Sequence, residues 1–216
     1  MNILIMGPAG AGKGTMSDRI IDLYDVPHIS TGDMLRENVK NNTELGKLAK
    51  SYMDAGHLVP DEVINGMVEN RLQQQDCEKG YLLDGYPRTE AQAKALAEIT
   101  DRIGKPVEIV LALEVEFDAL ASRITGRRIC PSCQAIYHIA THPSKVAGIC
   151  DKCGHELIQR KDDTVEQRKV RMDEYEKNTW PVIEYYVNKG VVAKINASQN
   201  PDAVFEEVKK ALGKVA

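Results

Sequence analysis

The apolar run NILIM, residues 2–6, leads directly into GPAGAGKGT, residues 7–15, and this junction restricts the fold more than any other part of the chain. A short buried strand, a glycine-rich loop, a lysine and then a helix form the local unit that cradles phosphate. Glycines let successive backbone N–H groups point inward, the helix N-terminus adds partial positive charge, and the lysine reaches the outer phosphates. Gly7, Gly10, Gly12, Lys13, Gly14 and Thr15 supply these parts. In the usual pattern Ser or Thr follows the lysine directly. Here Gly14 intervenes and Thr15 is displaced by one, which argues against a generic ATPase or GTPase.

Further short apolar runs at 81–84, 107–113 and 191–195, with a shorter one at 27–30, alternate with long helix-period stretches. Brief strands alternating with helices predict parallel strands joined by right-handed crossovers, hence an α/β layer architecture with ligands at the carboxyl ends of the strands. The glycine loop and the segment GYPR, residues 85–88, both begin where a strand ends. Segments 30–59, helical and polar, and 126–163, cysteine-bearing and without helical period, read as insertions on one core. Residues 201–215 place Val204, Val208 and Leu212 at four-residue spacing, as an amphipathic closing helix would.

Hydrophobic residues make up 43% and charged residues 28% of the 216, which favours neither disorder nor membrane residence. No apolar run approaches bilayer-spanning length, and the start lacks a basic n-region, so the cytoplasm is the expected compartment and a membrane partner is not expected. A net charge of -4 argues against sequence-independent nucleic-acid binding.

In LLDGYPRT, residues 82–89, Asp84 ends a buried strand and suits a magnesium ion held through water, while Arg88 suits bidentate capture of a phosphate. In STGDMLR, residues 30–36, Thr31 or Asp33 is the expected helix cap, with Arg36 one turn further on. Taken singly, each arginine reads as a surface charge. Together, GPAGAGKGT, STGDMLR, GHLVPDE, GYLLDGYPRTEAQ, TGRR and RKDD occur in the order and approximate spacing of adenylate kinases, and the chain resembles that family over essentially its whole length. The four-cysteine insertion resembles the long-lid bacterial type.

The resemblance implies a phosphate-loop (Walker A) three-layer fold with a five-stranded parallel sheet, a helical AMP-binding insertion at 30–59, a zinc-binding lid at 126–163, and a core of 1–29, 60–125 and 164–216. Gly10, Ala11, Gly12, Lys13, Gly14 and Thr15 would hold ATP phosphates, with Arg127, Ile136, Tyr137 and Gln199 as further ATP contacts. Thr31, Arg36, His57, Leu58, Val59, Gly85, Tyr86, Pro87, Arg88, Gln92, Arg160 and Arg171 match the family's AMP contacts. The Gln92 amide suits an adenine edge because it donates and accepts at once. Lys13, Arg88, Arg123, Arg127, Arg160 and Arg171, with Asp84, match the positions around the transferring phosphate, and Asp162 and Asp163 those that help hold the lid closed. The implied reaction is reversible transfer from magnesium-bound ATP to AMP, giving two ADP, by a chain expected to be monomeric. The attacking AMP oxygen is already anionic, with a second phosphate pKa of about 6, so no general base is required.

Ala9, where the family usually has proline, Met16, where glutamine is common, and the run DDTVEQRKVR ahead of Arg171 depart from the expected pattern. Tyr81 and Tyr86 stand where phenylalanines are usual, a change that reads as harmless.

Cys130, Cys133, Cys150 and Cys153 form two C-x-x-C turns, the spacing of a closed tetrahedral metal site. Zinc suits four thiolates with no open position, a rubredoxin-type iron centre fits the same spacing, and disulfides or free thiols are the alternative without metal. His138 and His155 are read as non-ligands, and Cys77 as a small buried apolar residue. Rival readings keep the mechanism but change the acceptor to UMP, CMP or GMP, or make the chain a nucleic-acid-binding ribbon on an ATP-driven core, or a nucleotide switch without turnover. Gln92 and the cysteine lid weigh against the first, and sparse basic and aromatic residues in the ribbon against the second. The second phosphate site weighs against the third.

Overall fold

Strand β1 (Asn2–Met6) is buried along its whole length, as an uninterrupted apolar run must be at the centre of a parallel sheet. The computed structural model describes residues 1–160 and 163–215. After β1 come α1 (Lys13–Tyr24) and the short β2 (His28–Ser30), then α2 (Thr31–Lys40), α3 (Glu44–Ala55) and α4 (Asp61–Leu72). A single 3-10 turn, Gln75–Cys77, precedes β3 (Tyr81–Asp84), followed by α5 (Glu90–Arg102), β4 (Ile109–Glu114) and α6 (Phe117–Thr125). A two-stranded antiparallel pair, β5 (Arg127–Ile129) and β6 (Ile136–His138), opens the cysteine segment. The chain returns through α7 (Val165–Glu174), a π turn at Tyr175–Thr179, α8 (Trp180–Asn188), β7 (Val192–Asn196) and α9 (Pro201–Leu212).

The main sheet is five-stranded and parallel, in the order β2-β3-β1-β4-β7. Its register aligns Ile5 and Ser30 with Asp84 and Met6 with Ala112, so the carboxyl ends of the central strands finish level with one another. Side chains alternate between faces. Leu4, Met6, Leu83 and Val110 pack under α4, α5 and α8, whereas Ile3, Ile5, Leu82 and Leu111 pack against α1 and α9. Three layers result, as expected, and the five apolar runs match the five strands to within two residues at each boundary.

Met16 is 3% exposed within the second cluster, so an apolar side chain suits that position. Val204, Val208 and Leu212 close the same face from α9. The cap of α2 differs from expectation: Ser30 accepts from the Asp33 amide at 3.3 Å. Thr31 instead turns its hydroxyl to the Gly85 carbonyl at 2.9 Å, and Asp33 pairs with Arg36. Cys77 is buried, but its sulfur also accepts from Arg71 Nη1 at 3.0 Å. Among the described residues, no helix is long and apolar enough to cross a membrane.

Candidate functional site

The glycine loop closes on itself through the Ala11 amide and the Pro8 carbonyl at 3.2 Å. Gly7 has a φ of 148° and rides over β4, where a Cβ would come 2.8 Å from the Leu113 carbonyl oxygen. Helix α1 then starts at Lys13 with no side-chain cap, which leaves its first amides for an anion. Lys13 folds back so that Nζ donates to the carbonyls of Gly7 and Pro8 at 2.8 and 3.1 Å. Burial, reinforced by Arg88, Arg171 and Arg127 against the opposing pull of Asp84, lowers its pKa to about 8. Burial pushes the Asp84 carboxyl up, but His28, Lys13 and Arg88 outweigh it and hold the group below the ordinary carboxylate range. His28 Nε2 lies 3.6 Å from Asp84 Oδ2. The end of β3 therefore carries a buried, ionised carboxylate facing the loop lysine.

Two clefts meet above these strand ends. One, of about 570 Å³, is lined by the glycine loop with Lys13 and Ala9, by Gly85, Tyr86, Pro87 and Arg88, and by Arg171. The other, of about 610 Å³, is lined by Thr31, Arg36, His57, Leu58, Val59 and Gln92. Gly56, Leu58, Gly85, Arg88 and Arg171 border both. Arg171 lines both clefts, and Arg168 lines neither. Arg88 is fixed by donation from Nε to the Gly85 carbonyl at 2.7 Å, and Arg36 by donation from Nη2 to Asp33 at 2.5 Å.

The cysteine segment sits down on the loop. Ile136 Cδ1 reaches Gly14 so closely that a Cβ there would come within 2.6 Å of it. Asp163, fully buried, pairs with Arg127 and lies 3.6 Å from Arg171 Nη1, tying the root of this segment to α7. Asp162 lies outside the described residues. Arg160 Nη2 is 3.5 Å from Asp33 Oδ1, His57 Nδ1 is 2.9 Å from Glu174 Oε1, and Gln167 Nε2 donates to the Asp54 carbonyl at 2.7 Å. These contacts join segments 30–59 and 126–163 to each other and segment 30–59 to α7.

Three expected contacts point elsewhere. Arg123 donates to the Ala197 carbonyl at 2.9 Å, and Gln199 donates to Glu207 Oε1 at 2.5 Å; neither lines a cleft. The Tyr137 ring stacks on His142, and its hydroxyl faces Cys150 Sγ at 3.5 Å and accepts from the Asp151 amide at 2.8 Å. That side chain belongs to the packing around the cysteines.

The four cysteine sulfurs lie within 4.8 Å of one another, with neighbouring pairs at 3.3 to 3.5 Å, and neither His138 nor His155 joins them. A tetrahedral ion with bonds of about 2.3 Å sets its sulfurs about 3.8 Å apart, so the donor set fits. The sulfurs share hydrogen bonds among themselves, which with the Tyr137 hydroxyl and nearby amides draw the Cys150 thiol down and push its neighbour Cys133 up. The apolar cluster beneath, Cys130, Ala135, Tyr137, Cys150 and Leu157, is too small to hold the segment folded unaided.

Two polar residues on α4 escaped the sequence reading. Asp61 accepts from Gln92 Nε2 and from Thr89 Oγ1 at 2.6 and 2.9 Å, and Asn65 Oδ1 accepts from the Tyr86 hydroxyl at 2.7 Å. Asp61 stands in GHLVPDE, but in sequence it reads only as a first-turn helix charge. The Tyr86 hydroxyl is therefore used, as is that of Tyr81, which donates to the Lys105 carbonyl at 3.1 Å.

Compared with known proteins, residues 5–191 match the family model described as adenylate kinase. The chain is 54% identical over 212 residues to the adenylate kinase of Caldanaerobacter subterraneus subsp. tengcongensis, covering 98% of this chain and 96% of that one. It is 51% identical to the Methanosarcina acetivorans adenylate kinase over the full length of both. The Bacillus subtilis adenylate kinase is 51% identical over 213 residues, covering 99% of this chain and 98% of its own.

Proposed function

The chain belongs to the adenylate kinase family and transfers a phosphoryl group between ATP and AMP, and from that premise we propose how its own residues divide the work. The observation that carries the reading is that the two clefts share Arg88 and Arg171, so two nucleotides lying in them would meet phosphate to phosphate beside Lys13. The loop amides of residues 10–15, with Lys13, Arg127, Ile136 and the backbone at Tyr137, would hold the ATP phosphates and ribose side. Thr31, Arg36, the run 57–59, residues 85–88 and Gln92 would hold AMP.

Phosphoryl transfer requires in-line positioning and charge neutralisation more than covalent chemistry. Fixed guanidinium forks from Arg88, Arg127, Arg160 and Arg171 would stabilise charge on the transferring group without reorganising. Arg123 and Gln199 lie apart from both clefts at the end of β7, Arg123 bonded to the Ala197 carbonyl, and would reach a nucleotide only by turning away from these partners. Magnesium arrives with ATP; Asp84, buried and kept ionised, would hold it through water, and the ion would neutralise phosphate charge.

Residues 30–59 form the AMP-receiving unit and 126–163 the lid, with the rest as core. Seating Ile136 on Gly14 excludes water, the competing acceptor. Zinc is the ion these four thiolates would hold, and with no position left open for substrate its part would be to fold the segment. Four reduced cysteines fit a reducing compartment, hence the cytoplasm. One chain lines both clefts, which suits a working monomer.

Coupled-assay turnover with magnesium and ATP is compared for AMP, UMP, CMP, GMP and water as acceptors. Strong turnover with AMP and background rates with the others are expected. Equal rates with water, or preference for a pyrimidine acceptor, would overturn the reading.

A further inference from the structure

Gln92 is 2% exposed, and both ends of its amide are engaged within the protein. Oε1 accepts from the Arg88 backbone N–H at 2.7 Å, and Nε2 donates to Asp61 Oδ1 at 2.6 Å. Both partners are one-way groups: a carboxylate accepts and a backbone N–H donates. Turning the amide over would set Oε1 against the carboxylate and the NH₂ against the N–H, losing two hydrogen bonds and creating two repulsions. The carboxylate is itself held, because Thr89 Oγ1 donates to Asp61 Oδ2 at 2.9 Å while accepting from the Gln92 backbone N–H at 3.1 Å. One lone pair of Oε1 and one N–H of Nε2 remain, and Gln92 lines the acceptor cleft.

An amide so fixed offers an acceptor and a donor in one order only. Adenine presents a 6-amino donor beside an N1 acceptor and matches it; a 6-oxopurine presents an acceptor beside an N1–H donor and matches the reversed amide. We propose that Asp61 is a positioning residue that, together with the Arg88 backbone N–H, locks the orientation of Gln92 and thereby sets the preference for a 6-aminopurine over a 6-oxopurine monophosphate. This rests on the reading that the second cleft receives AMP through Gln92. Asp61 lines neither cleft; it acts through the amide, and discrimination by fixed hydrogen-bond polarity is steep because a mismatched base leaves buried polar groups unpaired.

The test compares kcat and KM for AMP and for inosine monophosphate in Asp61→Asn, whose side-chain amide rotates to meet Gln92 in either orientation. Glu62→Gln is the control, removing a charge from the same exposed helix turn. We expect Asp61→Asn to lower the AMP-to-inosine-monophosphate ratio of kcat/KM by about tenfold, mainly through KM, as one lost orienting contact would. Glu62→Gln should leave the ratio unchanged. In a Gln92→Ala background, Asp61→Asn should change the ratio by less than about twofold, as coupled residues do. A ratio in Asp61→Asn equal to that of the unaltered protein, or an effect that persists without Gln92, would overturn the proposal while leaving AMP in the cleft. If Gln92→Ala itself leaves the KM for AMP and the ratio unchanged, the reading of the cleft falls and the proposal with it.

Discussion

At the scale of single residues, the site is governed by how many cations surround one buried lysine. Lys13 is drawn down to about 8 because burial and three guanidinium groups disfavour its charge and only Asp84 favours it. The sign follows from the linkage of protonation to folding. Below about pH 8 the group is charged both folded and unfolded, and the fold bears the full cost of burying a cation; that cost is relieved as pH rises from about 8 toward the ordinary lysine value. Phosphate capture runs the other way, because it needs the charged form. We therefore expect kcat/KM for ATP to fall as pH rises through about 8 while thermal stability does not fall in step. A profile flat to pH 10 would count against a lysine of lowered pKa at the loop.

At the scale of elements, the cysteine segment is a ribbon whose residues bury little apolar surface. Its cluster of five contains two of the cysteines, so the fold of β5, β6 and their turns depends on what the sulfurs hold. Replacing Cys133 with alanine should abolish one bound zinc per chain, read by elemental analysis. A structural site of this kind contributes several kcal/mol, and at about 2–4 °C per kcal/mol for a chain of this size the unfolding midpoint should drop by about 10 °C. Activity should fall with it, since Ile136 would no longer seat on Gly14. Metal content of about one per chain in the variant, or iron in place of zinc in the unaltered protein, would contradict the assignment. Helix α4 shows the same dependence in another form: Asp61 and Asn65, one turn apart, brace Gln92 on α5 and Tyr86 on the loop before it.

At the scale of the whole molecule, closure is held by a few polar contacts between segments far apart in sequence: Arg160 to Asp33, His57 to Glu174, and Gln167 to the Asp54 carbonyl. A single hydrogen bond of this kind contributes about 1 kcal/mol, or about fivefold in a closure equilibrium. Gln167→Ala should raise the KM for both nucleotides by about three- to fivefold and leave the unfolding midpoint nearly unchanged. A fall in midpoint with unchanged KM would show the bond to be structural only. The sequence by itself determined the five strands, the phosphate loop, the closing helix α9 and the cysteine quartet, because periodicity, glycine placement and C-x-x-C spacing act over a few residues. It also marked Arg36, Arg88, Gln92 and Arg171, but only through the family resemblance, since each taken singly reads as a surface group. Only the tertiary structure decided that Ser30 caps α2, that Tyr137 turns toward the cysteines, that Arg123 and Gln199 face the end of β7, and that Asp61 orients Gln92. The physical reason is that a hydrogen bond between elements depends on where packing brings two side chains, and Asp61 and Gln92, 31 residues apart, carry no local pattern that pairs them.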